Sequence, residues 1–158
     1  MMTHPHTPQR GFTLLVAVVL ASVSLAIGIS LLNISYKQIL LASAGKQSQN
    51  AFYAADSVLE CVLYYDQQVD AFNYTTPAAA GSILCNGLAV TSHTTGQAGG
   101  VRTTTFTVPC PPPTGGEQGR ATIYKTSVTA ATQIFAQGYN TCDTANARRT
   151  ERGLKIVY

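Results

Sequence analysis

A long apolar run near the start of the chain limits what this sequence can fold into more than any other feature. The run covers residues 12–32, and no charged residue occurs between Arg10 and Lys37. A bilayer core of roughly 30 Å requires about 20 apolar residues in a helix, and the run meets that requirement. Its few serine and threonine hydroxyls cost little because they can bond to carbonyls of their own helix. The run therefore predicts a membrane-spanning helix.

The flanks of the run predict its orientation. An ordinary secretory signal has a shorter apolar region with a small-residue cleavage site on its far side, and no such site follows this run. Arg10 precedes the run and no acidic residue occurs before Tyr36, so the positive-inside rule places residues 1–10 in the cytoplasm. Lys37 is a weak opposing charge on the other side. Hydropathy alone is equally compatible with a plain single-pass membrane protein that has a short cytoplasmic tail.

The junction before the run reads Arg10-Gly11-Phe12-Thr13-Leu14. A basic residue, a glycine and a phenylalanine directly before a membrane-length segment resemble the prepilin peptidase site of type IV pilins and type II secretion pseudopilins. The resemblance implies that prepilin peptidase cuts after Gly11 and that the new amine on Phe12 is methylated. Residues 1–11 would then be a leader peptide, with Arg10 as its basic residue. The implied partners are the peptidase, the lipid bilayer and other pilin subunits that pack through the N-terminal helix.

A second stretch, residues 49–60, supports the same family. It contains Ala51-Phe52-Tyr53-Ala54-Ala55-Asp56 and resembles the Ala-Phe-x-Ala-Ala-Glu-Ala pattern of PilX-type minor pilins at the same distance from the membrane segment. Asp56 stands where many relatives have glutamate. The resemblance extends from Arg10 to about Asp66, and the remainder of the chain is interpreted without it.

The sequence departs from the family at one position. Most pilins carry a glutamate at the fifth position of the mature chain, where this sequence has Val16. In the family that glutamate is thought to pair with the N-terminal amine of an adjacent subunit, and an unpaired buried charge costs several kcal/mol. A subunit without the glutamate offers no such pairing to a neighbour above it, which favours a minor subunit at the tip or in priming. A major subunit that tolerates the loss is the alternative.

Helical periodicity continues beyond the apolar run. Apolar residues recur at steps of three and four up to Leu63, which is the spacing of one helix face: Ala51, Phe52, Ala55, Val58, Leu59, Val62 and Leu63. We therefore expect one helix from Phe12 to about Tyr65, near 80 Å long at 1.5 Å per residue. Residues 12–35 would be the transmembrane and filament-core segment, and residues 36–66 its amphipathic continuation.

The rest of the chain, residues 67–158, is predicted to be an extracytoplasmic β domain. Glycines and a proline interrupt residues 66–100, which we interpret as a connecting loop with two short strands at residues 82–85 and 88–91. Four longer strands follow at residues 101–108, 121–130, 132–139 and 149–157, rich in alternating and β-branched residues. Short connections favour an antiparallel meander. The expected fold class is thus α+β, pilin-like, with a long N-terminal helix on a sheet of about four strands.

Four cysteines follow the apolar run: Cys61, Cys85, Cys110 and Cys142. No Cys-x-x-Cys pair or zinc-finger spacing occurs, so a metal site is not expected. An even number of cysteines in an exported domain favours disulfides, and four cysteines allow three pairings. The meander would bring Cys110 and Cys142 to one end of the sheet, where they could form one disulfide. Cys61 on the helix would then pair with Cys85 in the loop. In a reducing compartment all four would instead be free thiols.

The sequence contains no motif that indicates an enzyme or a cofactor. The Walker, nucleophile-elbow and metalloprotease motifs are absent, and no catalytic residue is assigned. His93 is interpreted as a solvated loop residue, and Asp56 and Glu60 as a solvated or subunit-contacting helix face. A basic cluster lies near the C-terminus: Arg148, Arg149, Arg152 and Lys155. It could contact DNA phosphates, and such binding would be non-specific. A solvated strand edge is the simpler interpretation.

Together these features predict a structural subunit of a type IV pilus or related filament. Charged residues make up only 11% of the chain, against about 25% in typical soluble domains, and the outer half is rich in small uncharged residues. We expect the chain in the cytoplasmic membrane with its domain outside, and at the cell surface after assembly. The alternatives are an unprocessed single-pass surface protein that binds a partner, or a type II secretion pseudopilin.

Overall fold

The computed structural model describes residues 10–76, 82–127 and 129–158 and has an α+β fold, as predicted. Helix α1 (Arg10–Val69) begins the described chain and extends a few residues beyond its predicted end. Seven strands follow: β1 (Leu84–Cys85), β2 (Leu88–Ala89), β3 (Thr91–Ala98), β4 (Val101–Pro109), β5 (Glu117–Lys125), β6 (Gln133–Tyr139) and β7 (Glu151–Val157). The main sheet has the strand order β3-β4-β5-β6-β7, and all of its strand pairs are antiparallel.

Contacts divide the chain into two compact units, and the division lies inside α1 between Ser43 and Ala44. The first unit is the part of the helix that ends at Ser43. The second unit extends from Ala44 to Tyr158 and contains the rest of the helix and both sheets. This division falls between the predicted boundaries at residues 35 and 66.

The main sheet has five strands, so the prediction of about four strands was too low by one. The additional strand is β3, which occupies part of the region that was interpreted as a connecting loop. Gly99 and Gly100 both have positive φ and join β3 to β4 through a two-residue turn, the geometry that best matches the twist of a hairpin. The prediction failed because glycines in the sequence were interpreted as loop signals, whereas two of them form this turn.

Strand β5 is also shifted from its prediction. It begins at Glu117 and ends at Lys125, whereas residues 121–130 were expected, so Ser127 and Ala130 lie outside it and Val128 lies outside the described residues. The other three long strands agree with their predictions to within about two residues, which is the usual uncertainty of element ends. The two short strands, β1 and β2, form a separate hairpin around Asn86 and Gly87, which both have positive φ.

The second part of α1 lies on one face of the five-stranded sheet. Leu59 and Leu63 of the predicted stripe are partly buried against the core. The fully buried apolar side chains of this part of the helix belong mainly to the same stripe: Ala51, Ala54, Ala55, Val58 and Val62. Phe52 was expected in that stripe but is 44% exposed, whereas Ala54, which was not expected there, is buried. Phe72 and Phe106 stack at the centre of the core with their ring centroids 5.7 Å apart.

The helix lies close to the sheet at two glycines, Gly138 in β6 and Gly119 in β5. A Cβ added to Gly138 would lie 2.0 Å from the backbone nitrogen of Ala55 and 2.5 Å from the carbonyl oxygen of Ala51. A Cβ added to Gly119 would lie 2.7 Å from a methyl group of Val58. Gly138 therefore lets the backbones of helix and sheet come into contact, and Gly119 leaves room for the Val58 side chain.

This contact makes a direct stability prediction for Gly138→Ala. The added methyl group meets helix backbone that cannot move aside, so we expect the free energy of unfolding to fall by at least about 1–3 kcal/mol. Denaturant unfolding of the detergent-solubilised chain, followed by near-ultraviolet circular dichroism, measures the change.

Gly96→Ala is the matched control, because Gly96 lies in edge strand β3 and a Cβ there meets no atom within 4 Å. We expect it to change the free energy of unfolding by less than about 0.5 kcal/mol. Equal effects of the two substitutions would contradict close helix–sheet packing at Gly138.

Candidate functional site

The first half of α1 presents an apolar surface that no described residue covers. Every large apolar side chain in this segment is at least 37% exposed, and Phe12 and Leu41 are 68% and 72% exposed. The segment contains an 18-residue window that is long and apolar enough to cross a membrane by length and composition, and none of that window is buried. The hydroxyls of Ser22 and Ser30 donate to the carbonyls of Val19 and Ala26, so these polar groups are satisfied within the helix.

The predicted processing junction lies directly before the apolar segment. The described part of helix α1 starts at Arg10, so the Gly11–Phe12 peptide bond is helical in this structure. The predicted leader lies mostly outside the described residues, since the structure describes it only at Arg10 and Gly11.

Val16 occupies the position where the resemblance places a glutamate. Its side chain is 37% exposed on the apolar helix, and the sequence contains no ionisable side chain between Phe12 and Tyr36. A helical apolar surface of this composition has no charged group of its own to pair with an amine in an apolar environment.

Two disulfides fix the second unit, and they have the pairing that the topology favoured. Cys61 in α1 bonds to Cys85 in β1 with a Cα–Cα distance of 5.7 Å. Cys110, after β4, bonds to Cys142, after β6, with a Cα–Cα distance of 6.1 Å. Both distances are ordinary for disulfides. The first bond holds the small hairpin on the helix, and the second ties together two loops at the same end of the sheet.

A buried ion pair holds the end of the helix to the sheet. The Asp66 carboxylate, in the last turn of α1, accepts from the Lys125 ammonium of β5 at 2.5 Å and from the Tyr158 hydroxyl at 2.5 Å. A carboxylate is unfavourable near the C-terminal end of a helix dipole, and no basic residue occurs in the last turn, so the cation comes from the sheet. Burial, together with the hydrogen bond to Asp66 and its charge, raises the pKa of Tyr158 well above its ordinary value.

A second ionic cluster changes the interpretation of the C-terminal basic residues. Arg149 donates to Glu117 at 3.0 Å and its guanidinium lies 3.6 Å from the ring centroid of Tyr139, while Arg120 donates to the other Glu117 oxygen at 3.2 Å. Partial burial raises the pKa of Glu117, but the hydrogen bond from Arg149 and the charge of Arg120 outweigh it and lower the pKa overall. Burial and the nearby Glu117 and Glu151 charges raise the pKa of Tyr139.

Two other basic residues of the C-terminal cluster, Arg152 and Lys155, differ in their surroundings. Arg152 and Lys155 lie on β7, which is an edge strand as expected for a solvated edge. Arg152 donates to the Ser48 hydroxyl of α1 at 2.8 Å. The four residues therefore do not form one continuous basic patch, because Arg152 points toward α1 whereas Lys155 projects from the opposite face of the sheet.

Three other residues considered in the sequence have defined positions in the structure. His93 lies in strand β3, so its interpretation as a loop residue was wrong; its side chain is outside the description. Asp56 is partly buried and Glu60 is exposed on α1, and neither forms a hydrogen bond or ion pair with any described residue. Within the described ranges, no group of three or more metal-ligating side chains occurs.

Sequence reasoning missed Asp66, Lys125 and Tyr158 as a cluster because they are far apart in the chain and only the fold brings them together. The one signal available was an acidic residue in the last turn of a helix that lacks a basic residue there.

No protein-family model, curated protein or solved structure matches this chain. Function is therefore inferred from the chain's own residues.

The Asp66 cluster predicts that Asp66→Asn is strongly destabilising. The substitution leaves the Lys125 ammonium, whose side chain is only 13% exposed, without a charge partner, so we expect a loss of about 3–5 kcal/mol in the free energy of unfolding. Denaturant unfolding of the detergent-solubilised chain measures it.

Asp56→Asn is the control, since Asp56 lies on the same helix without a described partner, and its effect should stay within about 0.5 kcal/mol. Replacing both Asp66 and Lys125 by leucine and methionine should recover part of the loss, because no unpaired charge remains. Equal stabilities of the Asp66→Asn and Asp56→Asn variants would refute the role of this ion pair.

Proposed function

We propose that this chain is a minor structural subunit of a type IV pilus or a related filament, processed by prepilin peptidase after Gly11 and methylated on Phe12. One observation carries the proposal: the exposed apolar half of α1 follows directly after Arg10 and Gly11. The α+β fold, with a long N-terminal helix packed on an antiparallel sheet, is compatible with this proposal.

The exposed apolar surface suits a subunit that is first anchored in a membrane and then packed into a filament. Apolar side chains are favourable in lipid or against other apolar surfaces but not in water, and a helix satisfies all its backbone groups internally in either environment. The same residues can therefore anchor the chain in a bilayer and later pack against helices of neighbouring subunits. Small residues such as Ala21, Ser24 and Gly28 allow close helix–helix approach.

The second unit supports an extracytoplasmic location in this proposal. Its two disulfides are typical of oxidising compartments, and Arg10 before the apolar segment favours a cytoplasmic N-terminus. Processing would remove Arg10 with the leader, which leaves the apolar segment to begin at Phe12.

Val16 supports a position at the tip or in priming. In a filament, a charged amine enclosed by apolar helices needs a partner, and its absence costs several kcal/mol. Val16 offers no such partner to a subunit stacked above, whereas the subunit at the tip has none above it. A type II secretion pseudopilus would place the same demand on its tip subunit, so it remains an alternative within this class.

An unprocessed surface protein is the second candidate function, because the same exposed apolar helix serves equally as a permanent anchor. In that case the second unit would be displayed as a binding domain and the Gly11–Phe12 bond would remain intact.

Intact-mass spectrometry of the chain co-expressed with prepilin peptidase tests the proposal. We expect the mass of residues 1–11 to be lost and one methyl group to be gained, because Arg10-Gly11-Phe12 before the apolar segment resembles the site that this peptidase cuts. An unchanged mass, with the peptidase active on a control pilin, would sink the filament proposal and favour the permanent anchor.

Two valine substitutions make the test specific for the junction. Gly11→Val should abolish the mass change, whereas Gly28→Val, inside the apolar segment where a Cβ meets no atom within 4 Å, should leave it intact. Loss of processing in both variants would indicate a membrane-insertion defect rather than recognition of Gly11.

The tip position predicts a low copy number. Quantitative mass spectrometry of sheared filaments should find about one copy of the processed chain per filament, independent of filament length, because nothing stacks above Val16. A copy number that rises in proportion to filament length would contradict the tip position and favour a shaft subunit.

A further inference from the structure

The face of the main sheet that is opposite α1 carries a depression of about 310 Å³. Ile123 and Ile134 point into the core, so the alternating residues Tyr124, Gln133 and Phe135 project from the outer face. Tyr124 lies directly opposite Gln133, and Phe135 directly opposite Lys155. Three adjacent strands therefore bring two aromatic rings, one carboxamide and one ammonium group to a single place.

Both aromatic rings are accessible in this depression. Tyr124 is 40% exposed and Phe135 is 38% exposed, although large apolar side chains favour burial. Phe135 lies over Gly153, since its Cζ atom would be 3.1 Å from a Cβ added there. One side of the Phe135 ring is thus supported by the strand beside it, and no ring of a described residue stacks on Tyr124 or Phe135.

The polar groups of the depression have unused binding capacity. The Tyr124 hydroxyl, the Gln133 carboxamide and the Lys155 ammonium form no hydrogen bond or ion pair with any residue in the described ranges. The other charges of this face are engaged: Arg120 and Arg149 bind Glu117, and Gln137 donates to Glu151 at 2.6 Å. Lys155 is the cation of the depression, and no described carboxylate pairs with it.

We propose that this depression binds a carboxylate-bearing sugar unit of a glycan. The apolar C–H face of a pyranose fits against an aromatic ring, its hydroxyls match a carboxamide and a phenol that both donate and accept, and its carboxylate matches the Lys155 ammonium. The site goes beyond the proposed function, because it requires neither processing nor filament assembly.

The charges favour an acidic sugar over single-stranded nucleic acid. Aromatic rings on a sheet also stack with bases, but such binding combines stacking with a positively charged groove along the phosphate backbone. Among the described residues, the lining of the depression includes one cation, Lys155, rather than a row of cations that could follow a phosphate backbone. A ligand with one carboxylate per binding unit matches this single cation.

Isothermal titration with the full chain in a detergent without a sugar headgroup tests the site. The probes are a glucuronate-containing oligosaccharide, its neutral glucose counterpart and single-stranded dT oligonucleotide. We expect saturable binding of the acidic sugar, with weaker binding of the neutral sugar and of the oligonucleotide. Absence of saturable binding of the acidic sugar, or tighter binding of the oligonucleotide, would overturn the proposal.

Two substitutions separate the parts of the site. Lys155→Gln should raise the dissociation constant for the acidic sugar about 10-fold and leave that for the neutral sugar unchanged, because it removes a charge-assisted hydrogen bond. Phe135→Leu should raise both constants about 3-fold to 10-fold, because it removes the ring but keeps an apolar side chain over Gly153.

The matched controls are Lys46→Gln and Tyr64→Leu, which alter an exposed lysine and an exposed tyrosine of α1 and should bind like the wild type. Each variant is first shown to keep both disulfides and the wild-type circular dichroism spectrum. Wild-type affinity in Lys155→Gln and Phe135→Leu, or equal losses in the control variants, would refute this site. The titration is independent of cleavage at Gly11, so its failure is distinguishable from failure of the filament proposal.

Discussion

The direct contact between helix backbone and sheet backbone is the constraint on which the second unit depends. At Gly138 the sheet offers no side chain, and Ala51 and Ala55 bring the helix close enough to exclude even one methyl group. Val58 and Val62 of the same helix belong to the core cluster, together with residues of the sheet and Cys85 of the small hairpin. A protein interior packs at near-crystalline density, so the larger core residues are fitted around this contact.

Covalent and ionic links hold the periphery of that core. Cys61–Cys85 holds the hairpin to the helix, and Cys110–Cys142 joins the loops that follow β4 and β6. Asp66 joins the last helical turn to Lys125 and Tyr158. Such links are useful in a small domain, because its core alone supplies only a modest free energy of unfolding.

The chain separates its proposed tasks between surfaces. The apolar half of α1 suits lipid or other apolar helices, whereas the outer face of the sheet carries uncharged polar groups, two exposed rings and the unneutralised Lys155. Assembly and ligand binding, as proposed here, use different residues. A substitution in one surface can therefore be designed without altering the other, which makes the two proposals separable by experiment.

The sequence by itself determined the elements whose signals are local. The long helix follows from an apolar run and a continuous 3.6-residue period, most of the strands follow from β-branched alternation, and the four cysteines with the meander favoured the observed disulfide pairing. The predicted processing junction also depends on adjacent residues only, and cleavage there remains a prediction.

Only the tertiary structure decided the features that depend on distant partners. Strand β3 has a glycine-rich, threonine-rich sequence that is compatible with a loop, and its pairing with β4 stabilises it as a strand. The Asp66 cluster and the depression around Phe135 join residues from separate elements, which no local pattern reveals. The physical reason is that backbone propensity acts within a few residues, whereas burial, ion pairing and strand pairing depend on which surfaces the fold brings together.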